Sequence, residues 1–254
     1  AAGYQTVAVA AGGGVGRAYG FDRGFDRFVE PAVTPDETVE TGVDAALAWV
    51  QEADQRPLFL LFHTYEVHLP NTHQVFAGGP SAAEQAVAAY ASDLAVADRH
   101  ISRLLEGLDR LRGLNRAVVV VTSDHGENLH DRAIGPRPVD HGHHLHHELL
   151  EVPLILVAPG LLHRRGSVAG PVLLLDVVPT VLALVGVDRS GLTLQGRDLR
   201  PLLLEEQSAR SAERELSAGA TLQGPTWDAL RTREWALLRA PEISTEQWWA
   251  QVRP

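Results

Sequence analysis

The sequence predicts an α/β fold: a mostly parallel sheet sandwiched by helices, followed by the start of a smaller C-terminal subdomain. Three observations predict it. Short apolar runs at residues 6–11, 58–62, 117–121 and 154–157 alternate with stretches of helical periodicity, the order expected of strands joined by crossover helices. The run 117–121 is one alanine and four valines bounded by polar turns, a composition suited to a strand covered on both faces. The chain has 254 residues, 45% hydrophobic and 21% charged, which suffices for one large α/β domain and argues against disorder.

Taken in order, residues 6–11 read as a buried strand that ends at Gly12-Gly13-Gly14, where glycine punctuates the chain. Thr34-Pro35-Asp36-Glu37 has the form of a helix start, with Thr as N-cap, Pro in the first turn and Glu three residues after the cap. The helix is expected to run to about residue 53 and to bury Val39, Val43, Leu47 and Val50. A strand follows at 58–62. A long helix is expected at 82–111, with Leu94, Ile101, Leu104, Leu105 and Leu108 on its buried side. Residues 172–175 are a further candidate strand, and 176–185 a helix that ends at Gly186. From about residue 207 the texture changes to charged and Trp-bearing segments. The predicted organisation is therefore a domain over 1–206 and a partial, partly antiparallel subdomain over 207–254.

Composition narrows function. The formal net charge is -10, which excludes a general nucleic-acid footprint but not a local anion site, which needs only a few residues or a metal. No apolar run approaches the roughly 20 residues of a membrane span. There is no Cys, hence no disulfide framework, thiolate metal site or cysteine nucleophile. There is no Met, so Ala1 is not expected to be the start of an open reading frame.

In parallel sheets, ligands bind at the carboxyl ends of the strands. Two such ends are rich in His or Asp. After the valine run comes Thr122-Ser123-Asp124-His125-Gly126-Glu127. A hard carboxylate beside an imidazole suits Mg²⁺, Mn²⁺ or Zn²⁺, and Ca²⁺ if further oxygens join. The alternative is an ordinary polar loop in which Asp124 caps a helix. After residues 58–62 comes His63-Thr64-Tyr65-Glu66-Val67-His68-Leu69-Pro70. Here His68 is a candidate for binding an oxyanion or donating a proton to a leaving oxygen, the alternative being a histidine that satisfies a loop carbonyl. A third segment, Asp140-His141-Gly142-His143-His144-Leu145-His146-His147-Glu148, carries five His in seven residues, a composition of metal or anion sites. His141 and His143 are the functional candidates, His146 and His147 the structural ones, and His144 is open.

These segments resemble, in order and spacing, the "HTYDxHxPY", "SDHGE" and "HGKxLYxExLRVPLI" stretches of the sulfatase family of the alkaline phosphatase superfamily. Gly3-Tyr4-Gln5-Thr6 with Gly20-Phe21-Asp22-Arg23-Gly24-Phe25-Asp26 is similar to its "GYxT…GFDxGFD", and Asp176-Val177-Val178-Pro179-Thr180 to its "DxxPT". The resemblance covers roughly residues 1–240. It implies an alkaline-phosphatase-like fold and a metal-dependent sulfuric ester hydrolase acting on a small-molecule or glycan sulfate. By resemblance, Asp124 and His125 are metal ligands, with Ca²⁺ the first expectation and Mg²⁺, Mn²⁺ or Zn²⁺ the alternatives. His68, His141 and His143 would contact the sulfate or its leaving oxygen.

The departures are specific. His143 stands where the family often has Lys, His146-His147 where it has Tyr and a polar or acidic residue, and Asn71 where an aromatic is common. The family's C/S-x-P-x-R nucleophile motif and upstream Asp pair have no counterpart here, so the chain is expected to be an N-terminally truncated piece, inactive alone. Two other readings stay open: a phosphodiesterase or phosphonate monoester hydrolase of the same superfamily, and a non-catalytic anion- or metal-binding module.

Overall fold

The computed structural model describes residues 2–31, 38–130, 139–163, 165–168, 170–204, 214–219, 226–232 and 234–239. The chain forms two compact units, Ala1–Leu114 and Asn115–Pro254.

In the first unit, β1 (Gln5–Ala10) lies between β2 (Arg27–Val29) and β3 (Leu58–His63), parallel to both. Alternate residues of a strand face opposite sides, and β1 is buried on both. Val9 joins the cluster of Val39, Val43, Ala46, Val96 and Leu104, whereas Ala8 and Ala10 join Phe28. The first cluster belongs to two helices, α1 (Thr38–Glu52) and α2 (Ala82–Arg112), which pack against each other and present apolar residues at intervals of three or four. The expected core positions Val39, Val43 and Val50 are at most 2% exposed. The helix start expected at Thr34–Glu37 lies outside the described residues. α2 opens on a capping box: Ser81 Oγ accepts the Glu84 N–H, and Glu84 returns a bond to the Ser81 N–H.

One expectation for α2 is corrected. Leu94 is 51% exposed, and its neighbours Ser92 and Asp93 are fully buried instead. The Ser92 hydroxyl accepts the N–H groups of Val75 and Phe76, and Asp93 accepts from the His73 N–H and the Asn71 side chain. Two polar side chains thus fasten the loop that follows His68 and Pro70 to the helix, and the helix turns that face toward it. Buried polar groups satisfied in this way are tolerated where unpaired ones are not.

In the second unit, β4 (Val119–Thr122) pairs with β7 (Leu154–Val157), and the pairing is antiparallel. Val121, Ile155 and Val157 are 40–53% exposed, so the valine run is not covered on both faces as expected. β-branched residues fit a pleated surface whatever covers it, and neither strand direction nor burial follows from them. Between these strands come β5 (Asn128–Leu129), β6 (Val139–Asp140) and the short helix α3 (His147–Leu150). Residues 172–175 form no strand: the chain makes a 3-10 turn at Leu174–Asp176, closed by the Leu173 N–H on Asp176 Oδ2, and continues into α4 (Val177–Leu184). After α5 (Arg200–Leu204), three antiparallel strands, β8 (Leu216–Gly219), β9 (Asp228–Arg231) and β10 (Ala236–Arg239), form a small sheet of order β10-β9-β8. This is the antiparallel texture expected of the C-terminal region. Residues 205–213 and 240–254, including positions 210–213 of the charged stretch, lie outside the described residues. No helix among the described residues is long and apolar enough to cross a membrane.

Candidate active site

The second unit assembles four of the five candidate residues around one short ladder. β5 and β6 pair Asn128 with Asp140 and Leu129 with Val139. One step further along the same antiparallel register, Glu127 faces His141, and that pair is bonded: His141 Nδ1 lies 3.1 Å from Glu127 Oε2. The two motifs converge because the ladder brings them together.

The segment Asp124–Glu127 is held from the other side by α3. The Gly126 N–H donates to the Leu149 carbonyl at 2.9 Å, and a Cβ on Gly126 would lie 2.0 Å from the Glu148 carbonyl oxygen. No side chain fits there, so glycine is a steric requirement of the close approach. Thr122 Oγ1 donates to the Pro153 carbonyl and Ser123 Oγ to the His125 carbonyl, which fixes the turn that leaves β4. Residues 125–127 are not helical, and Asp124 Oδ1 accepts the His125 N–H, so Asp124 does not act as a helix cap.

Within this frame the Asp124 side chain is 74% exposed and its Oδ2 lies 3.8 Å from His125 Nε2. His125 Nδ1 lies 2.8 Å from the Gly126 carbonyl. A carbonyl only accepts, so Nδ1 carries the proton and, in the neutral ring, Nε2 holds the lone pair on the side of Asp124. Two donors each about 2.1 Å from one ion stand less than about 4.2 Å apart, so the pair fits one shared cation. Among the described residues, no group of three or more His, Asp or Glu side chains could hold a metal ion.

The His141 ring stacks on His125, with centroids 4.2 Å apart. Its pKa is raised above the ordinary histidine value, chiefly by the hydrogen bond to Glu127 and against the effect of burial, with the charges of Glu127, Asp140 and Asp124 adding to the rise. Asp140 serves two histidines. Its Oδ1 accepts the His141 N–H at 2.9 Å, and its Oδ2 lies 3.2 Å from His143 Nε2. His143 and His144 are each 2% exposed, whereas the His147 side chain is 57% exposed and pairs with Glu148. His144 Nδ1 accepts the His146 N–H, and His146 meets the edge of Trp227.

His68 belongs to the first unit. Its ring stacks on Tyr65 at 3.9 Å, Tyr65 lies over Gly12 and Gly13, and His68 Nδ1 is 2.7 Å from the Leu69 carbonyl. Both readings of His68 are thus compatible with the geometry, because a loop carbonyl at Nδ1 also orients Nε2. Glu66, two residues earlier, is buried and accepts the Val39 N–H at the start of α1 while Oε1 lies 2.5 Å from His73 Nε2. Glu66, Asp93, Glu127 and Asp140 are the residues that sequence reasoning gave no role. The signal available for Glu127 was its place within the motif, and nothing in the one-dimensional pattern pairs it with His141.

Comparison with known proteins places the chain in a family and gives its fold. A family model described as Sulfatase matches residues 1–187. Steryl-sulfatase of Mus musculus is 31% identical over 198 residues, 72% of this chain and 30% of that protein. The chain spans between about a quarter and a third of the length of the mammalian steryl-sulfatases it matches. A solved structure of a protein in complex with its substrate D-glucosamine-2-N,6-O-disulfate shares the fold with a TM-score of 0.71 at 15% identity, over 93% of this chain and 70% of that one. Phosphonate monoester hydrolase of Agrobacterium radiobacter does so with a TM-score of 0.62 at 18% identity, over 83% and 54%.

Proposed function

The chain belongs to the sulfatase family, and from that premise we propose that it forms part of a metal-dependent sulfuric ester hydrolase, with Asp124, His125, His141 and His143 as site residues and His68, on the first unit, given its role by resemblance alone. The observation that supports this most is the stacked His125–His141 pair with Asp124 beside it: a carboxylate and an imidazole suited to a cation, adjoining an imidazole whose carboxylate partner favours its charged form.

The family is generally dependent on a divalent metal. Asp124 and His125 would hold such an ion, Ca²⁺ first by resemblance and Mg²⁺, Mn²⁺ or Zn²⁺ otherwise; when bound, it offsets the charge of the ester oxygens and activates the nucleophile. The remaining steps fall to side chains of the protein. His141 would act on those ester oxygens as a hydrogen-bond donor, and opposite unit charges about 4 Å apart attract by about 4 kcal/mol at an effective dielectric near 20. His68, oriented by Tyr65 and the Leu69 carbonyl, is assigned to the sulfate or its leaving oxygen. His143, buried against Asp140, is assigned to the same oxygens in place of the family's lysine. The chain has no Cys, and no Ser stands in an S-x-P-x-R frame. In this reading the nucleophile and further acidic ligands are supplied by sequence other than these residues, and the 254 residues alone are expected to turn over no aryl sulfate. The domain division at 206/207 is part of the same reading.

The likeness to a phosphonate monoester hydrolase structure favours a second reading, in which the ester is a phosphodiester or phosphonate. Side-by-side hydrolysis of an aryl sulfate and an aryl phosphodiester by the native gene product separates the two. The proposal expects the sulfate to be cleaved with the higher kcat/KM; a phosphodiester preference would transfer the assignment to the second reading.

A further inference from the structure

Two histidine nitrogens compete for every task given to an imidazole, and a site that uses one must engage the other. His141 is engaged on several sides, two of them through its ring. Its Nδ1 faces Glu127 Oε2 at 3.1 Å, its backbone N–H donates to Asp140 Oδ1 at 2.9 Å, and one ring face lies on His125. The Glu127 side chain is 6% exposed and that of His141 11%. A carboxylate buried to this degree is costly unless it is paired, and an apolar side chain would fill the same space without that cost. Glu127 Oε1 is buried as well and makes no hydrogen bond among the described residues, so the side-chain partner these residues give the carboxylate is His141, on Oε2. The register explains how it arrives: Glu127 is the cross-strand neighbour of His141, one step beyond the Asn128–Asp140 pair.

We propose that Glu127 is the positioning residue of His141, binding its Nδ1–H so that Nε2 is the nitrogen presented to the ester. A carboxylate can only accept, so it selects one tautomer of the neutral ring and one orientation of either protonation state. This inference rests on the sulfatase reading for the identity of the ester, but the tautomer it requires does not depend on that reading. Asp140 complements it, tethering the backbone of His141 through its Oδ1 while its Oδ2 lies beside the ring of His143.

The test uses the 254-residue chain labelled with ¹⁵N, and long-range ¹H–¹⁵N correlation of the His141 ring at a pH where it is neutral. The wild type is expected to show the Nδ1–H form; E127Q, which can donate as well as accept, is expected to lose that preference, and E127D to keep it. In the native gene product, E127Q is expected to lower kcat on an aryl sulfate about 10–100-fold, with KM changed less and activity partly recovered in E127D. A neutral wild-type His141 in the Nε2–H form overturns the proposal without any variant, and so does an E127Q spectrum that matches the wild type. If the tautomer moves as expected while the native gene product cleaves no sulfate ester, the positioning holds and the sulfatase reading fails.

Discussion

Asp176→Ala is expected to destabilise the unit Asn115–Pro254 by about 3–5 kcal/mol, the range for removing one partner of a buried ion pair. Asp176 is fully buried, and its carboxylate takes three bonds: the Leu173 N–H at 2.9 Å, the Arg197 N–H at 2.7 Å and Arg214 Nη1 at 2.6 Å. The Arg214 side chain is only 10% exposed, so truncation leaves a guanidinium poorly hydrated and two backbone donors without their acceptor. The adjoining contacts show how tightly the segment is drawn in. Thr180 Oγ1 donates to the Asp176 carbonyl and accepts the Leu199 N–H, and a Cβ on Gly196 would lie 1.8 Å from the Leu175 carbonyl oxygen. The motif Asp176–Thr180 is therefore a structural clasp around the start of α4. Urea denaturation with hydrogen exchange at the Leu173 and Arg197 amides measures the loss; a change below about 1 kcal/mol would show that the clasp is dispensable.

Gly126→Ala is expected to be nearly as damaging, through space rather than charge. The added methyl would sit 2.0 Å from the Glu148 carbonyl oxygen and 3.2 Å from Leu149 Cα, and both are backbone atoms that no rotamer change can move aside. Overpacking of this kind costs about 1–3 kcal/mol, occasionally more. The strain falls between Asp124-His125 and α3, so the expected signature is a drop in melting temperature accompanied by shifts at His125, Glu148 and Leu149. Stability within about 0.5 kcal/mol of wild type, with those signals unmoved, would mean that the two segments are not in contact.

Much of the fold was legible because periodicity reports burial directly. Val39, Val43 and Val50 recur at helical spacing, and the apolar runs at β1 and β3 mark the parallel sheet that the structure shows. What was not legible depended on partners distant in sequence. Leu94 sits at a helical core position, yet Ser92 and Asp93 claim that face for a loop some twenty residues earlier. The run 172–175 has strand composition, yet the Asp176 carboxylate folds it into a turn. Nothing in the valines of β4 indicates that β7 returns beside it antiparallel.

The candidate site divides in the same way. Asp124, His125 and His141 stand out as residue types, and the structure brings them together. Their supports are carboxylates whose meaning appears only once the β5–β6 register is known: Glu127 and Asp140 look like ordinary acidic residues in one dimension. His68 could be read either way from sequence, and the carbonyl at its Nδ1 suits both readings.

The measurement that bears most directly on the assignment is aryl sulfate hydrolysis by the native gene product before and after chelation and restoration of a divalent metal, for the wild type and for Asp124→Ala. Loss of turnover on chelation, recovery on metal addition, and a fall of about 100-fold or more in Asp124→Ala that excess metal does not fully restore are the predicted results. Turnover that ignores the chelator, or an Asp124→Ala variant as active as wild type, would contradict the placement of the metal at Asp124 and His125.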